Sequence, residues 1–514
     1  MTLEEHGAEG YGHAVVIGSS LAGLTAARAL ANYMDRVTVV ERDWVPRGAV
    51  RRRGVPQARH PHGLTTTAQH GLELLFPGIL GQLTDAGGVV VRMTEDVLLL
   101  GPADWLPRVK SDLSLLSVSR DLMDALIRDR LRADPRVTFL QEHEAISLEP
   151  GRQDTVTGVW VRGRDRGAPD GWGESRLIEA DFVVDATGRG SRAPQWLAEL
   201  GYVPPRDTTV ESHSAFAAAV FAPPIGHVAD WKSLMLMPAP GHPVRGMLYP
   251  VEGGRWSVSV SVCSGGGSLP PTDHTGLLHA AGALRDPLLH QLLQAATPLG
   301  PVYSSGPSGN RWRHYEKLRR WPDQFHVVGD AVVALDPAHG HGMTVAVQCA
   351  LVLNQLLAAH GTAVGIGYRV RRAIAHQLSA AWEASTRALH AEATEHDPRA
   401  GGWRARLGRK YAARIAAVAT TEPAAAGLLL QQLQNAAAPS AALRPGVMRA
   451  VVRGPRDPVE VGPFSSTHGP NKARIARRQM GRPDTQLHRE YPHGPDTVGT
   501  RVVPHGSRSF PTVR

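Results

Sequence analysis

The chain has 514 residues, 20% of them charged, and a length that predicts two or three domains. Its formal net charge of +9 comes mainly from dispersed arginines, and no zinc-finger, RNP or helix-turn-helix pattern accompanies them, which argues against a nucleic-acid partner. No apolar stretch approaches the length of a membrane span and the first residues are polar, so we expect a cytoplasmic protein without a membrane partner.

The first part of the chain has the pattern of a dinucleotide-binding βαβ unit. His13 to Gly18 is a short apolar run, Leu24 to Tyr33 has helical spacing, and Val37 to Val40 is a second buried strand. This order of strand, turn, helix and strand opens many folds that bind FAD or NAD.

The turn of this unit carries a glycine motif. Gly18-Ser19-Ser20-Leu21-Ala22-Gly23 matches GxGxxG except that Ser20 replaces the middle glycine, a small residue that still lets a pyrophosphate approach the backbone. Glu41, at the end of the second strand, is placed to accept hydrogen bonds from ribose hydroxyls. We therefore predict that the cofactor contacts are made by Gly18, Ser20, Leu21, Ala22, Gly23 and Glu41.

The remaining pattern predicts an α/β fold, α+β overall, in four parts. Residues 1–200 and 321–360 form a discontinuous Rossmann-like FAD-binding domain, with a helix over Arg120 to Arg132 and further parallel strands near 137–140, 182–185 and 325–328. Residues 201–320 alternate and predict an inserted antiparallel-sheet substrate domain, with a hairpin turn at 252–254. Residues 361–452 predict a helical C-terminal region and 453–514 an irregular or disordered tail.

A second motif lies in a loop between the apolar strand FHVVGD and a long helix. Asp330 follows the strand, and Pro337, Gly340, Gly342 and Met343 lie in the turn that leads to the helix. Asp330 can bind a ribityl hydroxyl, and the helix start can aim its amide donors at the flavin pyrimidine end. Two separated dinucleotide elements suit FAD, whose two ends lie far apart.

Three segments together resemble class A flavoprotein monooxygenases, the para-hydroxybenzoate hydroxylase-like enzymes. They are the 18–23 motif with Glu41-Arg42-Asp43, the stretch DATGRGSRAPQWL from Asp185, and GDAVVALDPAHGHGM from Gly329. The resemblance spans roughly Ala14 to Leu357. It implies FAD as cofactor, NAD(P)H as reductant, O2 as co-substrate, and oxygen transfer after O2 reacts at the flavin C4a carbon.

The resemblance also implies roles for single residues. Arg42 belongs to the first fingerprint, Arg120 would contact the FAD pyrophosphate, Arg53 would lie against FAD, and Asp185 with Arg189 would serve both FAD and NAD(P)H. The alternatives are a solvated arginine at a helix start and a turn held by aspartate–backbone hydrogen bonds. The segment ATGRGS departs from the DG motif of the aromatic hydroxylases, which leaves the nicotinamide site open.

Histidines occur in pairs at His60 and His62 and at His339 and His341. No carboxylate triad surrounds either pair, so we expect no metal site; these histidines line the flavin pocket or are ordinary loop residues. Flavin oxygen transfer needs a shaped, dry, apolar cavity and no essential nucleophile, so no catalytic side chain is assigned.

The stretch RRRGVPQARHPHGL, from Arg51 to Leu64, is similar to a bacterial subgroup that includes alkene epoxidases of polyether antibiotic pathways. It favours epoxidation of an apolar small molecule of secondary metabolism. Hydroxylation of an aromatic ring and reduction of the geranylgeranyl-reductase type are the alternatives, and a separate flavin reductase is a further candidate partner. The WxWxIP signature of flavin halogenases is absent.

Overall fold

The computed structural model describes residues 12–93, 95–239, 241–242, 244–263, 270–396, 403–434 and 439–455. The predicted tail 453–514 lies almost entirely outside the described residues.

Within these ranges the chain forms strands and helices throughout its length. The strands are β1 (His13–Ile17), β2 (Arg36–Glu41), β3 (Gly63–Thr65), β4 (Val89–Arg92), β5 (Val97–Leu100), β6 (Ser114–Ser117), β7 (Val137–Gln141), β8 (His143–Pro150), β9 (Val156–Arg164), β10 (Trp172–Glu179), β11 (Phe182–Asp185), β12 (Asp207–Val210), β13 (Ser214–Ala222), β14 (Ser233–Leu236), β15 (Gly246–Val251), β16 (Arg255–Cys263), β17 (Thr297–Pro298), β18 (Tyr303–Ser305), β19 (Asn310–Arg313), β20 (Phe325–Val327) and β21 (Val333–Ala334). The helices are α1 (Leu21–Ala31), α2 (Thr66–Leu75), α3 (Ile79–Asp85), α4 (Arg120–Arg132), α5 (Ala193–Glu199), α6 (His274–Gly282), α7 (Leu288–Ala295), α8 (Gly342–His360), α9 (Ile366–His396), α10 (Trp403–Ala419), α11 (Pro423–Leu433) and α12 (Pro445–Arg453).

A parallel sheet in the order β20-β11-β1-β2-β7 forms the centre of the Rossmann-like part. Its middle strands are mostly apolar, as expected of strands covered on both faces, and HAVVI of β1 is buried throughout. Helices α1 and α8 pack against each other beside it. The predicted βαβ unit and the mixed α/β fold are therefore confirmed.

The second large sheet runs in the order β17-β13-β16-β15-β14-β5, with β18 paired to β13. Strands β13 to β16 match the predicted antiparallel strands, and Gly253 and Gly254 both have positive φ in the predicted hairpin turn. Strand β5 was not predicted here: it comes from before residue 201 and pairs in parallel with β14.

The two faces of this second sheet differ. One face packs its Trp256, Val258 and Val260 against α6 and α7. The opposite face, which we call the inner face, carries Phe216 beside His60 and Tyr249 beside Gly63. The inner face thus meets the 60–63 segment of the Rossmann-like part, and a site between the two parts has residues of both as walls.

Helix α8 follows the loop after β20, and helices α9 to α12 come after it among the described residues, where a helical C-terminal region was predicted. Helix α8 is long and apolar enough to cross a membrane, but 61% of its most apolar window is buried. Its apolar residues contact α1, α2 and α9, so they belong to the protein core.

Candidate active site

The glycine motif forms a tight loop between β1 and α1. Gly18 has φ of +101°, and a Cβ there would lie 2.8 Å from the carbonyl oxygen of Ala186. A Cβ on Gly23 would lie 1.8 Å from the Gly18 oxygen, so only glycine fits at both positions. Ser20 is the N-cap of α1, but its side chain accepts no capping bond. The first-turn amides, including those of Leu21 and Ala22, can therefore face an anion.

Glu41 lies at the end of β2, where its carboxylate is held on several sides. Its Oε2 accepts from the Ser19 amide at 2.9 Å, from Ser19 Oγ at 2.6 Å and from Arg52 Nη2 at 2.6 Å, while Oε1 accepts from the Asp43 amide at 3.0 Å. Burial acts to raise the pKa of Glu41, but Arg52 and these donors outweigh it and lower the pKa. Oε1 keeps room for one more donor, so the predicted ribose contact remains possible beside the loop contacts.

Two arginines approach the same loop. Arg52 is 6% exposed and donates to the Ser19 carbonyl at 2.8 Å in addition to Glu41. Arg120 is 4% exposed; its Nη2 donates to Ser20 Oγ at 3.0 Å and its Nε to Asp124 at 2.6 Å. A cation at the N-terminal turn of α1 complements a pyrophosphate, which supports the predicted role of Arg120. Arg53, predicted to lie against FAD, is exposed.

Arg42 is also exposed, with 60% of its side chain accessible and only a distant Asp43 contact at 3.9 Å. The structure therefore brings Arg120 to the glycine loop and leaves Arg42 and Arg53 on the surface. Their cofactor contacts remain predictions. Arg52 was not predicted to be a site residue. It is buried together with Val55 and Ala58, which follow it at intervals of three residues and are the inward-facing apolar residues of this otherwise polar run.

Asp330 lies at the end of β20, across from the glycine motif. No described residue donates a hydrogen bond to its carboxylate, and burial raises its pKa although Arg189, Arg120 and Arg311 act against the rise. A Cβ on Gly342, at the start of α8, would lie 3.9 Å from Asp330 Oδ1. An unpartnered, desolvated carboxylate beside a helix start suits the ribityl hydroxyls of a flavin.

The turn before α8 is held from both sides. Asp336 Oδ1 accepts from the Ala338 amide at 2.7 Å, and Arg245 of the second large sheet donates to the Ala338 carbonyl at 2.6 Å. Pro337 and Gly340 are exposed in this turn, Gly340 with φ of +67°, whereas Met343 is 8% exposed. Arg245 is a site residue that the sequence did not reveal, because it lies in a strand far from every motif.

The segment from Asp185 forms a closed turn. Asp185 is completely buried; it accepts from the Thr187 amide at 2.9 Å, from Thr187 Oγ1 at 2.6 Å and from Ser191 Oγ at 2.6 Å. Arg189 donates to the carbonyls of Gly309, Ser308 and Leu335. Both side chains therefore hold the loop around Gly188, which lies beside Asp330. This agrees with the alternative interpretation of the segment as a turn held by hydrogen bonds to the backbone. Direct cofactor contacts by Asp185 and Arg189 remain predictions.

These elements fit FAD. One edge of the parallel sheet brings together a glycine loop with free amides, a buried arginine, and an acid that ends β2. The same edge carries an unpartnered carboxylate and a second helix start. Bound there, FAD would supply the redox chemistry, and the protein would hold its phosphates and hydroxyls with Ser20, Arg120, Glu41 and Asp330.

Three histidines next to this edge have a lowered pKa, which favours the neutral imidazole. The ring of His62 donates through Nδ1 to the His60 carbonyl at 2.7 Å, which leaves Nε2 as an acceptor. Burial, aided by Arg120, lowers the pKa of His62 to about 3, and burial lowers that of His60 too. Burial likewise lowers the pKa of His341 to about 4. Among the described residues, no group of three or more His, Cys, Asp or Glu side chains is placed to hold a metal.

Tyr249, on β15, lies on the inner face of the second large sheet. Its ring is half-buried, and a Cβ on Gly63 would lie 3.4 Å from it. Burial raises its pKa to about 12, and no described residue is hydrogen-bonded to its hydroxyl. His62 and Tyr249 are desolvated yet keep accessible surface, so they border interior space rather than packed core. Nothing in the sequence around Tyr249 indicated this position.

An open pocket of about 410 Å³ lies elsewhere, and its lining includes His227, Trp231, Lys232 and Trp256. It shares no residue with the glycine motif or with the loop after β20. It is therefore not the dinucleotide site.

Comparisons with known proteins place these elements in context. Residues 16–74 match the family described as an NAD(P)-binding Rossmann-like domain. The chain is 31% identical over 384 residues to Protein Rv3254 of Mycobacterium tuberculosis, across 72% of this chain and 78% of that protein. Kynurenine 3-monooxygenase of Salinispora tropica is 26% identical over 357 residues, across 67% of this chain and 72% of the enzyme.

Among solved structures, PqsL of Pseudomonas aeruginosa, a probable FAD-dependent monooxygenase, has the same fold. Its TM-score is 0.55 at 17% identity, and the match covers 75% of this chain and 97% of PqsL.

Proposed function

The chain belongs to the family of FAD-dependent monooxygenases with a Rossmann-like NAD(P)-binding domain, and on that premise we propose that it transfers one oxygen atom of O2 to a carbon–carbon double bond of an apolar small molecule. FAD is the cofactor and NAD(P)H the reductant. The polyether-type epoxidase assignment, a role in secondary metabolism and a cytoplasmic location are parts of this proposal.

The inner face of the substrate sheet supports an apolar substrate. One row of cross-strand neighbours on this face consists of Ala218, Ser259, Met247, Met235 and Leu99. None of these side chains is charged, and the charged Arg245 on the same face is tied to the Ala338 carbonyl. A wall of this kind favours an apolar body and excludes water, which flavin oxygen transfer requires.

The single observation that carries the epoxidation proposal is the uncharged row Ala218, Ser259, Met247, Met235 and Leu99 on the inner face, the face on which Tyr249 also lies. Tyr249 has a pKa near 12 and remains a hydrogen-bond donor, while His62, with a pKa near 3, is a poor base. Hydroxylation of a phenol benefits from a base at its hydroxyl, whereas epoxidation needs proximity and a dry pocket. A neutral tyrosine hydroxyl and a neutral imidazole suit an alkene substrate, because an alkene has no acidic proton that a base must remove.

The relatives that are kynurenine 3-monooxygenases favour a second candidate, hydroxylation of an aromatic ring. The two reactions are separated by incubating the FAD-loaded protein with limonene or with 2-naphthol under 18O2. NADH or NADPH is supplied in one arm, and a flavin reductase is added in another. We expect one 18O atom in a limonene epoxide.

Label in naphthol alone would replace epoxidation with ring hydroxylation and keep the monooxygenase. Reduced or desaturated products without label would favour the reductase alternative. The arm with added reductase shows whether the protein accepts electrons from NAD(P)H directly.

A further inference from the structure

The C-terminal layer, α10 to α12, packs against the substrate side of the molecule. Leu430 of α11 is 2% exposed and lies in one apolar cluster with Leu99 and Met235 of the inner face. Tyr249 and Leu433 pack at the edge of the same cluster. The last turn of α11 therefore packs on the apolar cluster of the inner face, at whose edge Tyr249 lies.

Gln434, the residue that ends α11, ties this layer to the Rossmann-like part. Its side chain is buried, with the residue 1% exposed. Its Oε1 accepts from the Thr66 amide at 3.2 Å and from Thr66 Oγ1 at 2.9 Å, and its Nε2 donates to the Ser114 carbonyl at 2.9 Å. The amide of Gln434 thus bonds to the first residue of α2 and to the first residue of β6 at once.

The residue before Thr66 continues the connection to the cofactor side. Thr65 is the N-cap of α2 and accepts from the Ala68 amide, and its Oγ1 lies 2.9 Å from Thr344 Oγ1. Thr344 belongs to the first turn of α8, two residues after Gly342, and a Cβ on Gly342 would lie 3.9 Å from Asp330 Oδ1. Strand β3, which ends at Thr65, starts directly after His62. Two side-chain contacts, Gln434 with Thr66 and Thr65 with Thr344, therefore link the C-terminal layer to the start of α8.

We propose that Gln434 is a positioning residue for oxygen transfer, which seats the C-terminal layer as the water-excluding wall of the site. The inference rests on the proposed function, because it concerns the same substrate space. With Gln434 in place, α11 keeps the apolar side of the flavin closed and the α2 and α8 starts aligned. Without it, water enters and reducing equivalents are lost as peroxide, NAD(P)H + H⁺ + O2 giving NAD(P)⁺ + H2O2.

The test compares Gln434→Met with Gln431→Met in the full-length, FAD-loaded protein. Both exchanges replace a glutamine of α11 by a side chain of similar length. Gln431 serves as the control because its side chain accepts a bond from Arg444 on the exposed side of the layer. The readouts are iodide quenching of flavin fluorescence, H2O2 formed per NADPH oxidised with limonene present, and the urea midpoint.

We expect Gln434→Met to raise the iodide quenching constant several-fold and to increase the share of H2O2, with Gln431→Met at wild-type values. A lower urea midpoint with wild-type quenching and H2O2 would make Gln434 a structural residue only and overturn the proposal. If Gln434→Met fails to fold, Thr344→Val, which breaks only the contact between Thr65 and Thr344, is judged by the same two readouts. A wild-type protein that binds FAD but labels no substrate contradicts the proposed function, whereas the iodide result still decides the role of Gln434.

Discussion

Arg52 donates to Glu41 at 2.6 Å from a position where only 4% of its side chain is accessible, whereas the adjacent Arg53 is exposed. The pair joins the run of three arginines to the acid that ends β2. It also fixes the glycine loop, since both partners bond to Ser19. One arginine of the run is thus structural for the cofactor loop, and it is not the one that the resemblance indicated.

The exchange Arg52→Met should destabilise the protein by about 3 kcal/mol, because it leaves a buried carboxylate without its cation. It should also weaken FAD binding, since Ser19 loses one of its two anchors. Arg53→Met is the matched control and should stay within about 0.5 kcal/mol of wild type. Urea unfolding and flavin titration measure both effects. Equal losses in the two variants would mean that the run acts through its total charge.

Asp330→Asn should separate cofactor binding from stability. In the cofactor-free protein the carboxylate is desolvated without a donor, so its neutral replacement should leave the urea midpoint unchanged or raise it. FAD affinity should fall by about 1.5–3 kcal/mol, because a charge-assisted hydrogen bond to a ribityl hydroxyl is lost. Equilibrium dialysis of FAD gives the affinity. A variant that binds FAD as well as wild type would place the ribityl chain elsewhere.

Gly18→Val should be more severe than any change at Asp330. A Cβ at this position would lie 2.8 Å from a backbone oxygen, and the φ of +101° is strained for a side chain with a branched Cβ. The loop must therefore open, and the space for the pyrophosphate is lost. We expect a purified protein without bound flavin that also fails to bind added FAD. Wild-type flavin content in this variant would show that the glycine loop does not hold the cofactor.

Tyr249→Phe should change recognition of a substrate oxygen without changing the flavin site. Limonene and carvone share one carbon skeleton, and carvone adds a carbonyl, which accepts a hydrogen bond from the Tyr249 hydroxyl if that hydroxyl faces the substrate. Loss of one neutral hydrogen bond should raise the KM for carvone by about 3- to 10-fold and leave that for limonene unchanged. Steady-state kinetics with both compounds provide the measurement. Equal changes for the two would show that the hydroxyl does not face the substrate.

Local patterns were enough to predict much of this fold. The strand β1, the helix α4 and the hairpin turn at Gly253 and Gly254 follow from a short apolar run, apolar residues at helical spacing and turn glycines, all of which act over a few residues. Strand β5 could not be placed this way, because its partner β14 lies more than a hundred residues further along the chain. The role of Gln434 could not be predicted for the same reason: its partners Thr66 and Ser114 are distant in sequence, and neither belongs to a recognisable motif.

The last prediction concerns His326, in the middle of β20. The residue is completely buried, its ring stacks on Phe182 with centroids 4.1 Å apart, and both ring nitrogens lack a hydrogen-bond partner among the described residues. Burial, with a smaller contribution from Arg371, lowers its pKa from 6.5 to about 3. Between about pH 3 and pH 6.5, the imidazole is therefore mainly neutral in the folded protein and mainly protonated in the unfolded chain.

A folded-state pKa below the unfolded one means that His326 contributes stability fully above pH 6.5, and that this stability is lost as the pH falls toward 3. Between pH 7.5 and pH 5 the cost is about 2 kcal/mol of unfolding free energy for this one group. His326→Phe keeps a ring against Phe182. Between pH 7.5 and pH 5, its unfolding free energy should fall by about 2 kcal/mol less than that of the wild-type protein. Urea unfolding at the two pH values gives the difference, with His360→Phe on the exposed end of α8 as the control for the exchange itself. If His326→Phe loses as much stability on acidification as wild type, the imidazole is already protonated or solvated in the folded protein, and its place in the core of β20 would have to be revised.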